Sequence, residues 1–303
     1  MQRITPIVSV IIPTYNRSIN LKKAIESVLS QTFQDFEIIV VDNHSVDGTE
    51  EMLIALNEHR IRLIKVHNYG IIAHSRNIGI EESIGKYIAF LDSDDWWTKD
   101  KLRISVESLN RGNDLVYHNL KLVLKSGYSN LKVGARKLKS PFYKDLLVNG
   151  NGIPNSSVVF RSEIKNKVGK ILEISELKGV EDFDFWLRIS LFTEKFEMIE
   201  KCLGYYFKGD ENFSGNKENL LISIDKLIQL HYKHFKFLYP DVEPNYLLFK
   251  RARASYLCSD ENSLGYLLSL LEYKINFVSR IKIYYMIIII NLKNFIFRYA
   301  RVK

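Results

Sequence analysis

Hydrophobic residues in the first hundred positions alternate between two spacings. Short runs rich in valine and isoleucine, typical of buried strands, alternate with segments whose apolar residues recur every three or four positions, as on one face of a helix. The predicted strands are Val8–Ile12, Glu37–Val41, Arg62–Val66 and Tyr87–Leu91, and predicted helices start at Ser18, at the Asp47–Glu50 capping box and at Ala73. This alternation predicts a mostly parallel α/β sheet, in which ligands bind beyond the carboxyl ends of the strands.

The pattern becomes mixed from residue 114 onward. It predicts strands over Asp114–Leu124 and Ser156–Arg161, a helix over Asp182–Phe192, and a loop with a short helix over Lys125–Gly152. Residues 216–303 are predicted to be mainly helical, with a break at Pro240–Pro244. We therefore expect a first part over residues 1–215 and a helical C-terminal region over 216–303.

Positive charge is concentrated near the end of the chain. The 303 residues are 46% hydrophobic and 26% charged, enough apolar material for a buried core, with a net charge of +8. Residues 1–200 hold 27 basic and 26 acidic residues, whereas 273–303 hold seven basic residues and no acidic one. Basic charge beside apolar residues favours an anionic membrane surface, and its restriction to the tail argues against nucleic acid as a partner.

The tail is predicted to contain an interfacial helix over Ile281–Phe297. The alternative is a buried C-terminal helix that packs on the first part of the chain. The longest apolar run, Ile283–Leu292, is too short to cross a bilayer. The first residues do not resemble a secretory signal, and Cys202 and Cys258 form no disulfide framework, which favours a reducing, cytoplasmic location.

Three carboxylates follow the fourth predicted strand within four positions. Asp92, Asp94 and Asp95 would repel one another unless a cation lay among them. Hard oxygen ligands favour Mg²⁺ or Mn²⁺, which also bind phosphate oxygens. The alternative is a solvated acidic turn in which Asp95 caps the next helix.

Four segments, in order and near the usual spacing, resemble motifs of family 2 glycosyltransferases. They are Val8–Arg17, Val40–Thr49, Ser75–Gly79 and Phe90–Trp97. The resemblance implies a GT-A fold, with a mostly parallel central sheet and helices on both faces, and a nucleotide-diphospho-sugar donor. It also implies that residues 7–115 bind the donor and residues 116–215 bind the acceptor.

The resemblance also implies roles for individual residues. Asp42 would bind the base, Arg76 would lie near the diphosphate, and Asp94 with Asp92 would ligate Mn²⁺ or Mg²⁺. The donor-binding residues would be Pro13, Thr14, Tyr15, Asn16, Arg17, Asp42, Arg76, Asp92 and Ser93.

A second acidic segment, Glu181-Asp182, resembles the Glu-Asp motif in which one carboxylate acts as the catalytic base. We expect Asp182 to be the base and Glu181 to be the second candidate, while helix capping by Asp182 is the alternative. Asn155, Ser156 and Trp97 are the candidate acceptor contacts. For these the alternatives are a polar turn and a tryptophan in the core.

The resemblance thus implies an inverting transferase that moves a hexose or N-acetylhexosamine from a UDP-sugar to a polyprenyl-diphosphate-linked saccharide. Such an enzyme would serve O-antigen or capsule synthesis at the inner face of a bacterial plasma membrane. Two alternatives remain. One is a non-catalytic sugar-nucleotide-binding protein on the same fold, and the other is a nucleotidyltransferase, which would carry a glycine-rich loop where this chain has Pro13–Arg17.

Overall fold

The computed structural model describes residues 5–209, 217–273 and 277–300. The chain divides into two compact units. The first consists of Met1–Tyr143, Asn151–Ser175 and Glu181–Asn212, and the second of Lys144–Gly150, Glu176–Val180 and Phe213–Lys303.

The first unit contains a mixed sheet. Its strands are β1 Val8–Thr14, β2 Phe36–Asp42, β3 Ile61–Lys65, β4 Tyr87–Phe90, β5 Trp96–Trp97, β6 Leu115–Leu124, β7 Gly127–Val133, β8 Val159–Arg161 and β9 Phe196–Lys208. Their order is β3-β2-β1-β4-β8-β6-β9-β5, with β7 paired to β6. β1 to β4 pair in parallel, as predicted from the alternation of strands and helices. Beyond β4, antiparallel pairs made by β8, β7 and β5 accompany the parallel pair β6–β9.

Eleven helices are assigned within the described ranges. They are α1 Ser18–Leu29, α2 Thr49–Leu56, α3 Ile72–Glu82, α4 Lys101–Asn110, α5 Phe142–Asn149, α6 Ile164–Val168, α7 Glu181–Phe192, α8 Lys217–Leu238, α9 Asn245–Leu257, α10 Ser263–Leu271 and α11 Phe277–Ala300. Short 3₁₀ turns occur at Asn155–Ser157 and Ser175–Leu177. The predicted break at Pro240–Pro244 is confirmed, since it separates α8 from α9.

The side chains of β1 alternate between two helical layers. Val8, Val10 and Ile12 are fully buried in one cluster with apolar residues of α1, α2 and α4. Ile11 points to the opposite face, where a Cβ added to Gly79 of α3 would lie 2.4 Å from Ile11 Cγ2. Helices therefore cover both faces of the parallel half of the sheet, and α3 reaches β1 because Gly79 has no side chain.

The start of α2 differs from the prediction. No side chain caps α2, so the predicted capping box of Asp47 and Glu50 is wrong. Asp47 instead accepts hydrogen bonds from the Ser18 backbone N at 2.8 Å and from the Thr49 hydroxyl at 2.6 Å. Asp47 thereby joins the loop before α1 to the loop before α2.

The sequence did not predict β7 or β9. β7 lies within the region predicted as a loop and forms a hairpin with β6, where Leu124 pairs with Gly127. β9 pairs with β6 from Leu115↔Phe196 to Leu124↔Lys208. This pairing joins segments far apart in the chain, so the sequence near β9 carries little sign of it.

The helical second unit has a core of its own. Ala252 of α9, Leu267 and Leu270 of α10, and Ile283 and Met286 of α11 are buried together. The opposite face of α11 exposes large apolar side chains. These are Ile281, Tyr284, Tyr285, Ile288 and Leu292. Within the described residues, α11 is thus apolar on two faces, of which one is buried.

Two findings bear on the predicted membrane tail. No helix in the described ranges has the length and hydropathy that a membrane crossing needs. Of the basic residues predicted for the tail, Lys274, Arg301 and Lys303 lie outside the described residues.

Candidate active site

The carboxyl ends of three parallel strands bring the predicted donor residues to one edge of the sheet. Thr14 ends β1 opposite Asp42, which ends β2, and Asp92 follows β4 on the other side of β1. Pro13 and Thr14 lie within β1 and are buried, and the Thr14 hydroxyl has no hydrogen-bond partner among the described residues. Tyr15, directly after the strand, is 56% exposed. This edge therefore offers an accessible aromatic ring beside buried polar groups.

Hydrogen bonds fix the loop after β1 to the loop after β2. Asn16 N donates to Ser45 Oγ at 2.8 Å, and Asn16 Oδ1 accepts from Val46 N at 2.9 Å. The carboxylate of Asp42 accepts from both the backbone N and the hydroxyl of Ser45. Asn16 is held at a φ of 48°, a left-handed conformation that Asn tolerates better than most residues.

The three carboxylates after β4 have different surroundings. Asp94 Oδ2 pairs with Arg17 Nη1 at 2.5 Å, and Asp92 Oδ1 pairs with Arg76 Nη2 at 2.8 Å. Asp95 is buried. Burial raises the pKa of Asp94 and, more strongly, that of Asp95, and the neighbouring carboxylates add to both shifts. Additional positive charge here would relieve the repulsion.

Ser93 and Asp95 face inward. Asp95 N donates to Asp92 O at 3.0 Å and so closes a tight turn. Helix capping by Asp95 is wrong, because β5 follows it and its Oδ1 accepts a hydrogen bond from Phe207 N at 3.0 Å. The other Asp95 oxygen has no partner among the described residues. Ser93 is buried, and its contact with a donor stays a prediction.

Arg76 is a buried arginine that joins the two acidic segments. Its Nη1 donates to Glu181 Oε1 at 2.5 Å and its Nη2 to Asp92 Oδ1 at 2.8 Å. Burial acts to lower the pKa of Arg76, but Asp92 and Glu181 outweigh it and raise that pKa, so the guanidinium stays charged. The side chain that the resemblance assigned to the diphosphate is thus held between two carboxylates.

Asn77 and Gly79 of the Arg-Asn-x-Gly segment hold α3 against its neighbours. Asn77 Nδ2 donates to Ile171 O at 2.8 Å, and Asn77 Oδ1 accepts from Ile171 N at 2.9 Å. Gly79 permits the close approach of α3 to β1. These contacts fix α3 on both sides, and Arg76 therefore extends from a rigid element.

Asp182 lies in the first turn of α7, beside Glu181. Phe183 N donates to Asp182 Oδ1 at 2.7 Å. Burial and the charge of Glu181 raise the pKa of Asp182 to about 7, against the opposing effect of Arg76. The residue keeps partial solvent exposure. Such a carboxylate can take a proton from a hydroxyl group near neutral pH. Helix capping does not describe it, because α7 begins one residue earlier.

The candidate acceptor residues surround Asp92. Asn155 Nδ2 donates to Asp92 Oδ1 at 3.1 Å, and Asp92 N donates to Ser156 Oγ at 3.1 Å. Trp97 Nε1 donates to Ser156 O at 2.7 Å, and Lys101 Nζ lies 3.6 Å from the centre of the Trp97 ring. Trp97 is only 4% exposed. Its indole therefore supports Ser156 from within the core.

The carboxylates after β4 fit a divalent cation in their donor chemistry. Asp92 and Asp94 offer hard oxygen ligands, and their side chains are 27% and 13% exposed. Mg²⁺-type ions are commonly bound by one or two carboxylates while substrate phosphates complete the shell. No group of three or more Asp, Glu, His or Cys within residues 5–209, 217–273 and 277–300 is arranged to hold a metal.

Residues 9–166 match the family model described as Glycosyl transferase family 2, which is slightly more than half of the chain. The chain belongs to glycosyl transferase family 2. The matched region contains the edge of the sheet from Thr14 to Asp94 that carries the predicted donor residues, the predicted donor edge. It ends before α7, so the match does not include Glu181 or Asp182.

Curated relatives of this family 2 chain differ in how much of it they cover. The putative teichuronic acid biosynthesis glycosyltransferase TuaG of Bacillus subtilis is 31% identical over 70% of this chain and 83% of its own length. The Escherichia coli UDP-Glc:alpha-D-GlcNAc-diphosphoundecaprenol beta-1,3-glucosyltransferase WfgD is 30% identical over 60% of this chain and 69% of its own length. An uncharacterized Rickettsia felis glycosyltransferase is 47% identical over 37% of this chain. The matched segment covers only 18% of the length of that relative.

Solved structures share the fold. S. aureus TarS in complex with UDP-GlcNAc superposes with a TM-score of 0.59 at 20% identity, over 90% of this chain and 77% of that one. The Pyrobaculum calidifontis mannosyltransferase PcManGT, in complex with GDP-Man and Mn²⁺, gives a TM-score of 0.57 at 17% sequence identity. That superposition covers 97% of this chain and 88% of PcManGT. The family 2 chain therefore has the GT-A fold implied by the four sequence motifs.

Sequence reasoning missed two features of the predicted donor edge. One is the ion pair between Arg17 and Asp94. The other is a row of rings in which His44 and His67 stack with centroids 3.8 Å apart and Tyr69 lies 6.3 Å from His67. Each ring follows the end of a parallel strand, so the sequence indicates that the rings lie at this edge of the sheet. It does not reveal which rings contact one another.

Proposed function

We propose that this chain transfers a sugar from a nucleotide-diphospho-sugar to a hydroxyl of a saccharide acceptor, with inversion at the anomeric carbon. The observation that carries the proposal is the buried bridge Asp92–Arg76–Glu181, which ends beside Asp182. It links the donor edge of the sheet to a carboxyl group with a pKa of about 7. Family membership and the names of the relatives support the same reaction class.

The proposed donor is a UDP-hexose or UDP-N-acetylhexosamine. The exposed ring of Tyr15 is available to stack on a base, and Asp42 lies at the end of the adjacent strand. TarS was solved with UDP-GlcNAc, and the name of the E. coli relative specifies UDP-Glc, which supports UDP. The remaining donor contacts proposed are Pro13, Thr14, Asn16, Arg17 and Ser93.

Asp94 and Asp92 would hold Mn²⁺ or Mg²⁺, and such an ion neutralises charge on a leaving diphosphate. The raised pKa of Asp94 and the Mn²⁺ in the Pyrobaculum neighbour support this assignment. Arg76 orients Asp92 and brings a fixed positive charge close to the donor edge. Fixed charges of this kind stabilise developing negative charge without reorganisation.

Asp182 is the proposed base. As the acceptor oxygen bonds to the anomeric carbon, its proton passes to the Asp182 carboxylate, and the bond from that carbon to the diphosphate oxygen breaks. Glu181 suits this role less well, because its Oε1 is engaged by Arg76 at 2.5 Å. Asn155 and Ser156, which hydrogen-bond to Asp92, are the proposed acceptor contacts.

The proposed acceptor is a saccharide on polyprenyl diphosphate, used in O-antigen or capsule synthesis at the cytoplasmic face of a bacterial plasma membrane. The name of the E. coli relative specifies a diphosphoundecaprenol acceptor. The exposed apolar face of α11, near Arg280 and the exposed Lys282, supports peripheral binding to anionic lipid.

A donor screen with the full chain and Mn²⁺ tests the proposal. Nucleoside diphosphate release is followed from UDP-, GDP- and dTDP-sugars, with and without a GlcNAc- or GalNAc-diphospho-lipid analogue. We expect release from one donor, stimulated by the analogue. Asp182→Asn should bind that donor in calorimetry without transferring its sugar, whereas Glu107→Gln, at an exposed carboxylate of α4, should behave as wild type.

Other outcomes would replace the proposal. Donor binding without release under any condition would make the chain a non-catalytic sugar-nucleotide-binding protein. Pyrophosphate release from a nucleoside triphosphate and a sugar phosphate would make it a nucleotidyltransferase. Absence of both binding and release would reject a sugar-nucleotide ligand.

A further inference from the structure

Two arginines pair with carboxylates after β4, and they differ in burial. Arg76 has a side chain only 5% exposed and bridges Asp92 to Glu181. Arg17 has a side chain 26% exposed and pairs with Asp94 Oδ2 at 2.5 Å. Asp92 is therefore paired with a buried arginine, whereas Asp94 is paired with an arginine whose side chain reaches solvent.

The backbone on both sides of Arg17 is anchored. Asn16 is tied to the loop after β2 through Ser45 and Val46, and Ser18 N donates to Asp47 Oδ2 at 2.8 Å. A change of partner at Arg17 would therefore be made by rotation of its side chain. Such a rotation requires no movement of β1 or α1.

Arg17 and a divalent cation would use the same carboxylate. A metal ligated by Asp94 would lie about 2 Å from its oxygen. Arg17 Nη1 lies 2.5 Å from Asp94 Oδ2, so a cation bound to that oxygen would bring two positive charges close together, and their repulsion opposes binding of both. A guanidinium also binds phosphate oxygens well, often through two parallel hydrogen bonds.

We propose that Arg17 competes with the divalent cation for Asp94, and that the donor diphosphate relieves the competition by drawing Arg17 to itself. This inference rests on the proposed function. It makes Arg17 a positioning residue that couples the two ligands, so that the cation binds poorly before the nucleotide and well after it. By linkage, the cation then strengthens nucleotide binding by the same factor.

The test measures Mn²⁺ binding to the full chain by electron paramagnetic resonance, with and without UDP. Wild type should bind Mn²⁺ more tightly with UDP. Without UDP, Arg17→Gln should bind Mn²⁺ about tenfold more tightly than wild type, a factor typical of coupling between two sites. The variant should also lose most of the increase in Mn²⁺ affinity that UDP causes in wild type. Arg103→Gln removes the same charge from the exposed side of α4 and should match wild type.

The possible failures are distinguishable. Equal Mn²⁺ affinity of wild type and Arg17→Gln without UDP would overturn the role of Arg17 and leave the proposed transferase intact. Absence of Mn²⁺ binding in both proteins, with UDP bound normally, would overturn the competition together with the metal part of the proposed function. Asp94→Asn should abolish Mn²⁺ binding, and retained affinity in that variant would reject Asp94 as the shared ligand.

Discussion

Charge placement distinguishes the two adjacent carboxylates of α7. Glu181 is paired with the buried Arg76, whereas Asp182 is left with partial exposure and a pKa of about 7. Burial is the largest cause of the raised pKa of Asp182. The charge of Glu181 raises this pKa further, and the charge of Arg76 lowers it. The fraction of Asp182 able to accept a proton therefore increases as the pH rises through about 7.

Glu181→Gln should keep transfer activity and move the acid limb of its pH profile downward. The substitution removes the negative charge that raises the pKa of Asp182, so the base ionises at lower pH. Asp182→Asn should lower transfer by roughly 10²–10⁴-fold at every pH, because the base is gone. The measurement is kcat/KM between about pH 5 and about pH 9 for both variants. An inactive Glu181→Gln beside an active Asp182→Asn would make Glu181 the base.

Among the secondary-structure elements, the sequence predicted those whose pattern is local. The first four strands and the three helices between them follow from hydrophobic spacing within single segments. β9 was not predicted, because its partner in β6 lies far back in the chain. The site shows the same limit. Motifs located Arg76 and Asp92, but the contact of Arg76 with Glu181 spans 105 positions and depends on the folded sheet.

Gly79→Ala should destabilise the protein and weaken its activity. The added Cβ would lie 2.4 Å from Ile11 Cγ2, within the fully buried layer between α3 and β1. Overpacking of this kind costs about 1–3 kcal/mol, and a shift of α3 would also displace Arg76. The free energy of unfolding in urea measures the effect.

Gly134→Ala is the matched control for this substitution. A Cβ at Gly134 would meet no atom within 4 Å, so its stability should stay near wild type. The double variant Gly79→Ala with Ile11→Ala should be more stable than the sum of the single changes, because the clash is removed. Equal stability of Gly79→Ala and wild type would mean that α3 does not depend on this close approach.

In the whole molecule, the proposed chemistry and the proposed attachment belong to different units. The donor edge, Arg76 and Asp182 lie in the first unit, which carries almost balanced charge up to residue 200. The exposed apolar face of α11 lies in the second, where the basic excess is concentrated. Substitutions on α11 should therefore change where the protein binds without changing the chemistry of the first unit.

The membrane prediction can be tested on that face. The full chain should sediment with vesicles that contain anionic phosphatidylglycerol, and less so at high salt, because exposed charges are screened. Burying an isoleucine contributes about 1.5–3 kcal/mol, so Ile281→Glu with Ile288→Glu should weaken vesicle binding by at least about a hundredfold. Phe237→Glu, at an 82% exposed position of α8, is the control and should bind as wild type.

Vesicle binding that is unchanged in the double variant would show that α11 does not contact lipid. A wild-type chain that stays in the supernatant at low salt would reject membrane attachment and leave the donor screen unaffected.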